Sequence, residues 1–110
     1  MPGKSPYALA LVTAPNLKVA RKLAMRALKS KLAACVNIVP RIESHYWWEG
    51  KLEQGSELLL IFKTSRAKAS LLERAILKAH PYDTAEFLVL PIAHGSERYL
   101  QWIATSLERG

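Results

Sequence analysis

From Val36 onward the apolar side chains fall on alternate positions, Val36, Ile38, Ile42, Tyr46 and Trp48, while Asn37, Arg41, Glu43 and His45 take the other parity. That period of two predicts a half-buried strand. Glu49-Gly50-Lys51 supplies a turn, because Gly50 adopts positive φ at little cost. The return arm, Leu52 to Thr64, ends in the dense run Leu58-Leu59-Leu60-Ile61-Phe62. Ala33 to Thr64 thus reads as one long β-hairpin. Each arm is about 14–16 residues, or roughly 45–50 Å, whereas a compact chain of this length is only about 34 Å across. The hairpin should overhang its own domain. Its tip carries Tyr46, Trp47 and Trp48, more aromatic surface than a monomer usually leaves wet, and so points to another subunit. Pro40 cannot donate to a ladder and predicts a bulge or an unpaired edge in the first arm.

The flanking segments follow the same logic. Tyr7 to Thr13 alternates as a short strand, with Tyr7, Leu9 and Leu11 on one face, and Ala14-Pro15-Asn16 stops it. Asn16 caps a helix to about Lys31, whose apolar stripe is Ala20, Leu23, Ala24, Ala27 and Leu28. Thr64 or Ser65 caps a second helix lined by Leu72, Ala75, Ile76 and Ala79, ended near His80 by Pro81. Phe87 to Ile92 is a fourth strand, with Pro91 arguing for an edge or a bend. Ser96 caps a last helix through about Glu108, with Tyr99, Ile103 and Leu107 on its buried side. Met1 to Pro6 reads as a flexible tail.

This order, strand, helix, hairpin, helix, strand, helix, predicts an α+β fold: a ferredoxin-like βαββαβ sandwich with an extra C-terminal helix and a protruding hairpin. Right-handed crossovers place both helices on one sheet face. The other face stays open unless a second copy covers it. At 110 residues the chain is a single domain, residues 1–110, with enough core to fold without staples.

Composition narrows the class. No apolar run reaches the ~20 residues that cross a bilayer, so no membrane insertion is expected. Tyr7 to Ala14 is short for a secretory signal, and Pro15 follows the would-be cleavage site. Cys35 is the only cysteine, which excludes a disulfide framework and suits a reducing cytoplasm. Eight basic residues precede the first acid, Glu43, while the rest of the chain sums to −1, giving the overall +7. Such asymmetry marks either an anion-binding surface or a solvated helix face.

The richest chemistry lies in His80-Pro81-Tyr82-Asp83-Thr84-Ala85-Glu86, an imidazole, a phenol and two carboxylates within seven residues. His80 stands at a helix C-terminus, and imidazole with carboxylate can ligate a metal if other elements contribute. The same string also suits a rigid turn with a buried phenol. Lys63 points away from Phe62 and can pair with Glu57 or Glu86, or meet an anion. Cys35 reads as a small strand hydrophobe, and His45 and His94 as surface residues. No nucleophile elbow, Cys-His signature or Gly-rich phosphate loop is present, so the chain is read as no enzyme. A ferredoxin-like metallochaperone is excluded by the lack of Cys-x-x-Cys. An RNA-binding module, and with it a nucleic-acid partner, is not expected, since Leu58 to Lys63 offers only Phe62 for stacking.

Taken together these strings closely resemble the CutA family of divalent-cation tolerance proteins, from Leu9 to Leu107. The resemblance rests on Leu32-Ala33-Ala34-Cys35-Val36-Asn37 with Pro40, and on Ser44-x-Tyr46-x-Trp48-x-Gly50-Lys51. It continues through Glu57, Lys63-Thr64, His80-Pro81-Tyr82, Glu86, Leu90-Pro91 and Tyr99-Leu100-x-Trp102. It implies a homotrimer of ferredoxin-like subunits with PII-like architecture and a link to copper and other divalent ions. Some members carry a cysteine at the end of the first strand, and some a His-His pair before Pro-Tyr, proposed together as copper ligands. Here the strand end is Leu11-Val12-Thr13-Ala14-Pro15 and the pair is Ala79-His80, so only His80 carries over as a metal ligand. Ala85 replaces a proline found in many members.

Two functions follow as expectations. One is a trimeric, non-enzymatic divalent-cation response protein binding copper or another divalent ion at inter-subunit clefts near Lys63, His80, Tyr82, Glu86 and the Trp48 wall. The other is a PII-like sensor of a small anionic metabolite, using Lys63 and the basic first helix.

Overall fold

A computed structural model describes residues 5–108. The expected tail at residues 1–4 lies outside the described residues. Ser5 and Pro6 are tied down, since their carbonyls accept from Arg66 Nη1 (3.4 Å) and the Arg66 backbone N–H (2.8 Å).

The elements are β1 (Tyr7–Ala14), α1 (Leu17–Lys29), β2 (Cys35–Trp48), β3 (Lys51–Ser65), a 3₁₀ turn (Arg66–Lys68), α2 (Ala69–Ala79), β4 (Leu88–Pro91) and α3 (Glu97–Ser106). The sheet order is β2-β3-β1-β4, antiparallel throughout. This is the expected βαββαβ arrangement with an added helix.

The caps fall where short polar side chains can reach back. Asn16 Oδ1 accepts from the Val19 N–H (2.9 Å) and Ser96 Oγ from the Tyr99 N–H (3.3 Å). Ser65 Oγ, expected to cap the second helix, accepts from the Lys68 N–H (3.2 Å) and caps the 3₁₀ turn, α2 itself following Lys68 with no side-chain cap. α1 stops at Lys29, two residues early, because Lys31 turns into the left-handed region (φ 59) and Leu32 N–H closes back on the Ala27 carbonyl at 2.9 Å.

One sheet face builds the core. Ala10, Val12 and Ala14 of β1 and Leu58, Leu60 and Phe62 of β3 pack with Ala20, Leu23 and Ala27 of α1 and with Leu72 and Ile76 of α2. Thr64 is buried on the same face and donates to the Leu32 carbonyl (2.7 Å). The opposite face carries Leu9, Leu11, Leu59, Ile61, Leu88 and Leu90, and the three residues Leu88 to Leu90 are all exposed.

β1 accompanies β3 only as far as Leu58. Beyond it, Ile42 to Glu57 continues as a bare two-stranded ribbon of about seven residues per arm, roughly 23 Å. The molecule is correspondingly long, 43 × 30 × 22 Å. Glu49 (φ 50) and Gly50 (φ 79) form a two-residue turn between the paired Trp48 and Lys51, both at the positive φ of a type I′ hairpin.

Pro40 does mark a bulge. The register runs Val39↔Leu59 and then Ile42↔Glu57, so three steps on β2 oppose two on β3. The extra residue corrects the single-face reading of the first arm. Val36 and Ile38 pair with buried Phe62 and Leu60 on the helix side, whereas Ile42, Tyr46 and Trp48 share the opposite face with Glu57.

Tyr99 also departs from expectation. Ile103 and Leu107 are buried, but Tyr99 is exposed and packs on Trp102 at 5.5 Å between centroids. Successive i, i+4 steps drift about 40° around a helix, which rotates the far end of the stripe outward.

Candidate functional site

Where the ribbon leaves the sheet, the segment after α2 crosses its root. His80 ends α2 with extended backbone (ψ 138) as Pro81 demands, and its ring is buried. Nε2 lies 2.7 Å from the Thr13 carbonyl, and Nδ1 accepts the Tyr82 N–H at 3.2 Å. Nδ1 as acceptor makes Nε2 the protonated nitrogen, so both ring nitrogens are used. The Tyr82 ring lies 4.8 Å from the imidazole, tilted by 57°. His80 is thus a brace that ties the Tyr82 turn to the end of β1.

The braced Tyr82 reaches the ribbon. Its hydroxyl donates to Glu57 Oε2 at a long 3.4 Å, and Glu57 is the first ribbon residue of β3 beyond β1. Around this contact opens a cleft of ≈ 870 Å³. Trp48 and Tyr46 supply an aromatic wall, and Glu43, Glu57, Asp83 and Glu86 supply four carboxylates, with no Lys or Arg in the lining. Burial, then the Glu57 charge and hydrogen bond, then Tyr46, push the Tyr82 phenol above its ordinary value. Burial first and Glu57 second push the Glu86 carboxyl up as well. In both, burial leads, and the Glu57 carboxylate adds like charge in a partly dry cleft. A cation would relieve it.

Three of the expected site residues, Trp48, Tyr82 and Glu86, therefore line one cleft. His80 stands behind it. Lys63 is elsewhere: six residues from Glu57 along the same strand it lies about 20 Å away, which corrects the expected Lys63–Glu57 pair within one chain. Its ammonium instead donates to Asn37 Oδ1 and stands 4.0 Å from Cys35 Sγ on the open sheet face. Glu57 is the residue that reading by string undervalued, because its partners are 25 and 29 positions away. His45 is exposed, as expected, and pairs with Glu43 at 2.6 Å. Among the described residues no three His, Cys, Asp or Glu side chains converge tightly enough to hold a metal ion.

The chain is similar to known proteins over nearly all of this architecture. The family model for CutA1 divalent ion tolerance proteins matches residues 8–106. Protein CutA of Homo sapiens is 44% identical over 94 residues, covering 86% of this chain and 52% of that protein. The divalent-cation tolerance protein CutA of Escherichia coli O139:H28 is 45% identical over 97 residues, covering 88% of this chain and 87% of that one. The chain thus spans about half the length of the human relative. The crystal structure of CutA1 from Oryza sativa superposes with a TM-score of 0.90 at 42% identity, covering 96% of this chain and 97% of the other. Relatives include a chloroplastic protein of Arabidopsis thaliana and a periplasmic one of Archaeoglobus fulgidus, so the expected cytoplasmic location does not follow from kinship. No described helix is long and apolar enough to cross a membrane. A family match spanning both the ribbon and the Tyr82 turn places this chain in the CutA1 divalent ion tolerance protein family.

Proposed function

We propose that the chain is a non-enzymatic divalent-cation response protein that works as a homotrimer, each cation site being completed by a neighbouring copy. The observation that carries this reading is the composition of the cleft: four carboxylates, two phenols and no Lys or Arg. Carboxylate and phenol oxygens suit hard or borderline divalent ions. The same composition disfavours the anionic-metabolite sensor, since Lys63 lies on another part of the surface.

Among the described residues no three ligands converge within one chain, so the proposed site has to be completed across copies. The remaining ligands then come from another subunit, and the open apolar sheet face and aromatic ribbon supply the reason to associate. Copper through His80 alone would cost one of its two hydrogen bonds, so Glu57 and Glu86 are the proposed first contacts, with Tyr82 and Trp48 as the wall.

Calorimetric titration of the metal-free protein with Cu²⁺, Zn²⁺ and a panel of anionic metabolites tests this. Saturable cation heat that is lost in Glu57→Gln is expected. Tight binding of an anion with no cation isotherm would overturn it.

A further inference from the structure

The helical layer carries a feature that the cleft does not use. At 100° per residue, Lys18, Arg21, Lys22, Met25, Arg26 and Lys29 share one arc of about 140° on α1. All six are exposed, and buried Ala20, Leu23, Ala24 and Ala27 lie opposite. The arc therefore holds five cations and one thioether. No acid occurs between Pro15 and Ile42 to interleave with them.

These five charges are unanswered. The His45–Glu43 contact is remote, and none of the five side chains has a hydrogen-bond or ion-pair partner among the described residues. Lys18–Lys22 and Lys22–Arg26 are i, i+4 neighbours, and Lys18–Arg21 and Arg26–Lys29 are i, i+3 neighbours, so like charges repel along the helix. A face that served only solubility would mix signs and avoid that repulsion. α2 lies on the same sheet face and adds Arg74 and Lys78 against one acid, Glu73.

Apolar side chains are set among the cations. Met25 stands within the arc, between Arg21 and Lys18 around the helix, and is 47% exposed, and Leu17, Leu71 and Leu77 are exposed on the same helical layer. The α1 arc offers no aromatic ring, Asn or Gln with which to stack on or read a base. A phosphate backbone has no partner for Met25 or the leucines. A lipid interface has one, with headgroup phosphates for the cations and the acyl boundary for the apolar tips.

We infer that the α1–α2 face is a docking surface for anionic phospholipid membranes, bound peripherally and reversibly. It is independent of the carboxylate cleft, which lies at the ribbon root. Each basic residue held near an anionic surface raises partitioning roughly fivefold, and salt screens the effect.

Co-sedimentation of the full chain with vesicles containing about 30% phosphatidylglycerol, against pure phosphatidylcholine, tests the inference at low salt. Binding to the anionic vesicles alone is expected, abolished by about 0.5 M salt. Replacing two cations, Lys22→Ala with Arg26→Ala, should weaken it about 30-fold. Met25→Ser should weaken lipid binding further without changing its salt dependence. If the first pair fails to fold, Lys18→Ala with Lys29→Ala on the same arc takes its place. Failure of the parent to sediment with anionic vesicles, or undiminished binding by the double variant, overturns the inference. So does tighter binding to a nucleic-acid duplex or single strand at the same salt, which would make the face a nucleic-acid surface.

Discussion

Glu86 shows how a single side chain reports on the cleft. Its carboxyl is held above the ordinary 4.5, first by burial and then by Glu57. The folded chain therefore binds this proton more tightly than the unfolded chain does. The associated stability is complete below 4.5 and is lost as pH rises through the raised value. Glu86→Gln should raise the unfolding midpoint at pH 7 slightly, within about 0.5 kcal/mol, and change nothing at pH 3, where the acid is already neutral. Equal effects at both pH values in thermal melts would show that the crowded charge is not what the substitution removes. Cation binding reads the same titration in reverse, since protons and cations compete for the carboxylates, so affinity should fall as pH drops. His80 works by position. His80→Ala strands the Thr13 carbonyl and the Tyr82 N–H and should cost about 1–3 kcal/mol in urea denaturation. A loss of copper heat with unchanged stability would instead make the imidazole a ligand.

At the level of elements, the hairpin turn makes the sharpest demand on sequence. Gly50 at φ 79 has open space around its Cβ position, so a side chain there meets backbone strain without a clash. Gly50→Ala should cost about 1 kcal/mol, measured as a lowered denaturation midpoint, with the strands otherwise retained. A neutral result would mean the turn relaxes to another type. Element order, caps and hairpin length were legible because each depends on neighbours a few residues apart: Asn16, Ser65 and Ser96 needed only their own next turn. The facing of the ribbon was not. Pro40 signalled a bulge, yet parity read straight through it put Val36 and Trp48 on one face, and a single inserted residue separates them. The candidate site was half legible for the same reason. The Tyr82 turn is a local string, whereas Glu57 becomes its partner only once the sheet sets the end of β1 beside the ribbon root. Lys63 has the right chemistry, and strand geometry carries it away.

At the scale of the whole molecule, the proposed trimer accounts for three features of the single chain. Its helix-side face is covered and its opposite face is not. Its ribbon extends beyond any third strand with Trp47 70% exposed, and its carboxylate cleft lacks a converged ligand set among the described residues. Three copies packed through their open sheet faces, with ribbons reaching across, would answer all three at once. Trp48→Ala should then loosen the assembly, since buried aromatic anchors at such interfaces typically contribute about 2 kcal/mol or more. The proposed trimer is tested most directly by light scattering of the parent protein at micromolar concentration. The mass expected is about 37 kDa, three times the 12.3 kDa chain. A monodisperse 12.3 kDa species would contradict the shared site and the covered sheet face together.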